Sequence, residues 1–362
     1  MSKPALAMLI LLSLRQEKED PAALIATGVR QLVAMQEEGG AWPYEGVYRV
    51  AGEIPVGYRI GGTALVAGTL LAAAPKDAEA RATFERGLDY VLKGLDHPLL
   101  APSVEDAYDV RVWAHACALE FLCQVRAAKA ASGHANEIEE RIPKLIKILV
   151  DEEIAGGGWN YATHASAASF VTAPVTQALL WARGQGFKVP IEVLDRARKC
   201  LERGRAKTGA FLYGGLFKEG EPGVTGDQLQ GSIARSAICE STLVLLGGGS
   251  RDAVRDALDA FHEHWQALED RRRKTGTHVG PYKIAPYYFY YGHRYAAQAI
   301  ELLPEEDRAK ERARLLKVLL KTRDDDGTWN DRVFARSRNY GTAMVVLALL
   351  GEKAPLPSPL RR

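Results

Sequence analysis

"QEEGGAWPY" (residues 36–44), "EIAGGGWNY" (153–161) and "RDDDGTWND" (323–331) share one layout: a polar opening, a glycine, and a tryptophan two residues after it. The tryptophans, Trp42, Trp159 and Trp329, stand 117 and 170 residues apart, two units of 58.5 and three of 56.7. A fixed step of this size marks stacked supersecondary units. Six such units nearly fill the 362-residue chain.

Each unit reads as a charged amphipathic helix, a glycine turn, and a second helix that is apolar on most sides. "NEIEERIPKLIKILVDEE" and "PIEVLDRARKCLERG" are of the first kind; "TAPVTQALLWAR" and "NYGTAMVVLALL" are of the second. Asp20-Pro21, Pro190 and Pro304-Glu305-Glu306 mark helix starts, and Gly133, Gly184, Gly247–Gly249 and Gly351 mark ends. Strand patterns are nearly absent. A helix apolar all round is buried on all sides, whereas one with a charged face lies outside. Six alternations of the two predict an all-α (α/α)6 toroid of six helical hairpins over residues 20–351, with an open solenoid as the alternative. Residues 352–362 read as a proline-rich tail with no part in the fold.

Composition narrows the function. A net charge of +2 argues against a nucleic-acid binder held by phosphate contacts. No apolar run reaches 18 residues, so no membrane span is expected. Residues 1–15 hold a short apolar run, Ala5–Leu12, of a length that suits an export signal and is too short to cross a bilayer. No small-x-small cleavage site precedes "RQEKED", so export to the periplasm or medium and retention in the cytoplasm stand level. Cys117, Cys123, Cys200 and Cys239 fall in helical patterns without a CxxC pair, which predicts buried free thiols and no structural metal.

The Gln36–Gly40–Trp42 spacing resembles the QW motif of squalene and hopene cyclases. Glu153 and Arg323 replace the glutamine in the later copies, and "KTGAFLYGG" in the fourth unit is a weak echo. Over residues 21–351 the pattern is similar to the prenyltransferase and squalene-oxidase repeat proteins. That resemblance implies a terpenoid-cyclase or protein-prenyltransferase-like toroid around a central cavity, with an apolar or isoprenoid-like small molecule as ligand. The catalytic signatures of those groups are missing. There is no DxDD and no DDxxD, and Ala237 and His115 stand where an Asp-x-Cys zinc pair needs aspartate. No metal or cofactor is expected.

In such a barrel the inner helices run the same way, and their N-termini gather at one mouth. Each start carries roughly half a positive charge and free N–H groups, which together suit an anion. Arg59, Arg111, Arg235, His293, Arg294 and Arg338 fall near the same level. "PYYFYYGHRY" (286–295) reads as a mouth-facing helix start, with Tyr287 and Tyr291 lining the cavity and Tyr340 opening the last inner helix. His164 follows a tryptophan turn and is a further ligand candidate. Asp109, Asp227, Glu240 and His293 are the catalytic candidates. Of these, Glu240 pairs most simply with Arg235, and Asp109 and Asp227 are candidates for a glycosidase carboxylate pair whose separation the sequence does not fix. The leading expectation is an elongated apolar ligand with an anionic or polar head in the cavity. A non-catalytic scaffold that engages a protein partner and a carbohydrate-active α/α barrel are the alternatives.

Overall fold

A computed structural model of the chain describes residues 20–101, 110–131, 133–161, 166–214 and 228–361. The apolar run Ala5–Leu12 and the candidates Asp109, His164 and Asp227 lie outside the described residues. Thirteen α-helices and no strand are present among them.

Six helices form an outer layer: α1 (Pro21–Ala34), α3 (Ala78–Gly94), α5 (Ala135–Asp151), α7 (Ile191–Arg203), α9 (Arg251–Glu263) and α12 (Glu305–Lys321). Six form an inner ring: α2 (Val56–Ala73), α4 (Arg111–Ala127), α6 (Ser169–Gly184), α8 (Leu229–Leu245), α11 (Tyr288–Ile300) and α13 (Ser337–Leu349). A short α10 (Trp265–Glu269) follows α9. Burial separates the layers as the sequence pattern requires. The outer α7 buries one stripe (Val193, Leu194, Ala197, Cys200, Leu201), while the inner α8 buries fourteen of its seventeen residues. Asp20, Asp77 and Ser250 cap outer helices by accepting backbone N–H groups two or three residues on.

The ring closes. Each inner helix packs on the next, and α13 packs back on α2 and on α1. Hydrogen bonds cross this seam: Gln31 Nε2 donates to the Asp326 carbonyl (3.0 Å), Asn339 Nδ2 to the Pro43 carbonyl (3.1 Å) and Arg332 Nε to the Tyr44 hydroxyl (3.1 Å). Small residues let the inner helices approach closely; a Cβ at Gly292 in α11 would stand 3.0 Å from the Cα of Ala234 in α8. α2 is long and apolar enough to cross a membrane, yet it lies buried within this ring.

The tryptophan turns join outer to inner helices, and their chemistry repeats. Trp42, Trp159 and Trp329 are fully buried. Each indole N–H donates to a carbonyl ten residues earlier, of Leu32, Leu149 and Leu319, at 2.7, 2.6 and 2.9 Å. Each backbone N–H donates to a threonine of the following inner helix, Thr63, Thr172 or Thr342. Burying one indole stabilises by about 4–6 kcal/mol. The fourth unit, a weak echo by sequence, makes the same turn. Phe211 takes the tryptophan's place, and its N–H donates to Ser232 at 2.6 Å. The glycine two residues before the buried ring has positive φ in all four copies: Gly40 (+88°), Gly157 (+103°), Gly209 (+81°) and Gly327 (+83°). At Gly40 and Gly157 a Cβ would also stand 2.6 Å from the carbonyl oxygen of Arg86 or Arg196, so only glycine fits.

The tail differs from its expected irrelevance to the fold. Residues after Gly351 run back across the C-terminal ends of the inner helices, where the Leu360 N–H donates to the Leu245 carbonyl at 2.7 Å and Ser358 touches Gly184. The four cysteines are free thiols, three of them buried.

Candidate functional site

The inner-helix N-termini enclose a cavity of ≈ 270 Å³. Nine of its fourteen lining residues are aromatic, so its wall presents ring faces more than anything else. The tryptophan turns place several of them. The residue two after each buried ring is Tyr44, Tyr161, Tyr213 or Asp331. The three tyrosines line the cavity, while Asp331, two residues after Trp329, is fully buried and is not one of its lining residues. Tyr58 and Trp113 come from the first turns of α2 and α4, Phe170 from α6, Tyr287 from the start of α11, and Tyr340 from α13. Phe170 stacks on Tyr291 with ring centroids 4.1 Å apart, and Tyr291 donates its hydroxyl proton to the Phe170 carbonyl (3.0 Å). This stack and Trp113 separate the cavity from a smaller chamber of ≈ 40 Å³ deeper in the ring, lined in part by Glu120, Arg294 and Tyr295.

Polar groups sit on two walls. On one, the hydroxyls of Tyr161, Tyr213 and Tyr287 lie within 3.0–3.5 Å of one another, and His278 Nε2 is 3.2 Å from the Tyr287 hydroxyl. Desolvation lowers the His278 pKa, which disfavours its charged form. On the other wall is Arg332, 3% exposed. Its Nε donates to Tyr44 and its guanidinium lies 5.5 Å from the centre of the Tyr287 ring, but Nη1 has no partner. Beside it, Asp331 is fully buried, and neither carboxyl oxygen has a hydrogen-bond partner. Burial pushes the Asp331 pKa up to about 7, against the pull of Arg332. The charge of Asp331 in turn raises the pKa of Tyr44 and Tyr340, behind burial in each case. The cavity thus has an aromatic wall and one cationic lining residue, Arg332, with a spare N–H; its chain neighbour Asp331 is a buried acid behind it whose pKa burial raises to about 7.

The residues singled out from sequence are dispersed. Tyr287 and Tyr340 line the cavity, and Tyr291 and Arg294 line the deeper chamber. Arg294 donates to Glu120 at 2.8 Å. Arg59 is 3.8 Å from Glu53 near the helix start. Arg111 is buried in an ion pair with Glu152 (2.7 Å). Arg235 donates to the carbonyls of Phe211 (2.8 Å) and Gly231 (2.6 Å). Glu240 pairs with Arg205 instead of Arg235, and burial raises its pKa. Arg338 is an outer-surface partner of Asp326. His293 points away from the mouth, because a helix cannot turn consecutive residues to one side. Its Nε2 accepts from Trp265 Nε1 (2.8 Å), its Nδ1 donates to the Phe289 carbonyl (2.7 Å), and burial lowers its pKa to about 3. It is a structural histidine.

Arg332, Asp331, His278 and most of the aromatic wall were not among the sequence candidates. One signal for them was available: the fixed offset from the tryptophan turns, which selects Tyr44, Tyr161, Tyr213 and Asp331. Among the described residues no group of three or more His, Cys, Asp or Glu is placed to hold a metal ion.

No family model matches the chain, and no curated protein matches it. Solved structures do. The type II terpene cyclase MstE from Scytonema superposes with a TM-score of 0.57 at 17% identity, covering 92% of this chain and 98% of that one. Its D109N variant in complex with geranylgeranyl dihydroxybenzoate, the substrate, gives 0.58 at 16% identity over 94% and 99%. The α-1,6-mannanase GH76A of Salegentibacter sp. HEL1_6, as an inactive variant with α-1,6-mannotetrose, gives 0.60 at 12% identity over 91% and 99%. Likeness at such identities concerns the fold: the chain is a terpenoid-cyclase-like α/α toroid, in an architecture that glycoside hydrolases also use.

Proposed function

We propose that the cavity binds an isoprenoid-like ligand whose anionic or polar head meets Arg332, and that Asp331 donates a proton to it. One observation carries this reading: a largely aromatic cavity contains a buried guanidinium with an unpartnered N–H. Burying a cation without a full set of partners is costly, and an anionic ligand group supplies what is missing. An aromatic wall suits an apolar chain. It also stabilises a carbocation, by about 0.5–2 kcal/mol for each ring face. The terpene cyclase complex, with its geranylgeranyl-substituted acid, supports the same ligand class.

The chemistry balances without another reactant. The Asp331 O–H proton passes to an alkene carbon of the ligand and leaves a cation on its neighbour. The carboxylate left behind is stabilised by Arg332. A second alkene attacks the cation and forms the ring bond. A proton is then lost from carbon to water, and the carboxyl is reprotonated from solvent. The product is an isomer of the substrate. A pKa of about 7 keeps the donor protonated in a large fraction of molecules at neutral pH.

Retaining or inverting glycoside hydrolysis uses two carboxyl groups across a cleft. The sequence candidates for such a pair, Asp109 and Asp227, lie outside the described residues, and the carbohydrate reading stands as the alternative, supported by the mannanase fold likeness. A scaffold role gives no reason for Arg332 to keep a free N–H inside the ring.

Calorimetric titration with a geranylgeranylated aromatic acid and the matching neutral alcohol tests the reading. The acid is expected to bind. Arg332→Met is expected to weaken it by roughly ten- to hundred-fold, the value of a hydrogen bond to a charged group, and to change the alcohol little. A new product of unchanged mass is expected from wild type and not from Asp331→Asn. Failure of both ligands to bind the wild-type protein overturns the proposal.

A further inference from the structure

A groove of ≈ 250 Å³ lies at the other end of the ring from the aromatic cavity. Its floor is the C-terminal ends of α11 and α13, through Ile300 and Leu349, and its long wall is α12 from Arg312 to Leu319. Nine of its twelve described lining residues are apolar, and Leu316 stays partly exposed in it. Glu301 and Arg312 are the two charged ones, and they consume each other: the guanidinium donates to both carboxylate oxygens, at 2.8 and 2.5 Å. The groove therefore asks for apolar cover and has no spare charge to satisfy.

Pro21, the first residue of α1, is also part of its lining. The chain ahead of Pro21 carries the apolar run Ala5–Leu12, which ends nine residues before it. Nine residues span at most about 30 Å, so the run is tethered within reach of the groove. The two also match in length and chemistry. The run is eight uncharged residues, and the groove follows α12 over eight positions, Arg312–Leu319. We infer that Ala5–Leu12 docks in this groove and completes the outer layer between α12 and α1. The tether at Pro21 keeps the run at a high local concentration, so a modest apolar contact holds it. The same docking accounts for an apolar run that no small-x-small site follows. It is independent of the ligand proposed above, whose cavity lies at the opposite ends of the inner helices.

Intact mass, photo-crosslinking and thermal unfolding of the full chain test the inference. The purified protein is expected to retain Ala5–Leu12. A diazirine side chain placed at Leu9 is expected to link, within one molecule, to α12 or to the C-terminal ends of α11 and α13. Leu9→Asp with Ile10→Asp is expected to lower the melting temperature by at least about 5 °C, since two apolar side chains leave the groove. Leu316→Asp is expected to lower it by about 3 °C or more in the wild-type background. In the Leu9→Asp, Ile10→Asp background its effect is expected to fall below about 1 °C, because the partner has already gone. A mature chain that has lost the run points to an export signal and overturns the inference. Crosslinks only to other faces or to other molecules overturn it too, as does an effect of Leu316→Asp that is equal in both backgrounds.

Discussion

Replacing Asp331 by asparagine changes one proton and almost no volume, and its effect on stability follows from the site. In the folded chain burial raises this carboxyl from 3.8 to about 7. Below about pH 4 both folded and unfolded chains hold the proton, and the residue contributes no pH dependence. Between about pH 4 and pH 7 the unfolded chain ionises while the folded one does not, so stability falls as pH rises. Each pH unit is worth about 1.4 kcal/mol, so the loss over the window reaches at most about 4 kcal/mol and then levels off. The amide of the variant has no proton to lose. Urea unfolding of the two proteins across this range is expected to give a gap that opens in favour of the variant from about pH 4 to pH 7 and stays constant above. Parallel curves would show that Asp331 ionises as an ordinary surface acid, and would remove it as the proton donor. A stabilising variant that also loses turnover is the pattern expected when a site residue is kept at the expense of stability.

Two further substitutions test the frame. Gly157→Ala forces a side chain to φ +103° with its Cβ 2.6 Å from the Arg196 oxygen, and is expected to cost about 1–3 kcal/mol by chemical unfolding. Gly39→Ala, in open space, is expected to stay within about 1 kcal/mol of wild type. Arg111→Met leaves the buried Glu152 without its guanidinium and is expected to cost about 3–5 kcal/mol, while adding Glu152→Met recovers most of that loss.

The ring was legible because it repeats. Tryptophan turns at a fixed step and the alternation of amphipathic with apolar helices locate every hairpin. The fourth turn was the hardest to see, since Phe211 and Ser232 do the work of tryptophan and threonine and keep only the geometry. The site was less legible for two physical reasons. Pairing depends on distance in space: Arg111 meets Glu152 forty-one residues away, and Arg294 meets Glu120 across 174. Cations that share a level in the sequence pattern are therefore consumed separately. The groups left at the cavity come largely from loops, where no periodicity orients a side chain. Arg332 reaches Tyr44 across 288 residues, and His278 meets Tyr287 within an irregular segment. Tyr287 and Tyr340 were identifiable because they sit at inner-helix starts, whose position the repeat does fix.

The most direct test of the account is a crystal structure of the chain soaked or co-crystallised with a geranylgeranylated aromatic acid. The expected density fills the cavity beside Tyr58 and Tyr287, with the acid group within hydrogen-bond range of the Arg332 guanidinium and the apolar chain against Trp113 and Phe170. Density for the ligand only on the outer surface, with the ring interior occupied by the protein's own side chains, would contradict it.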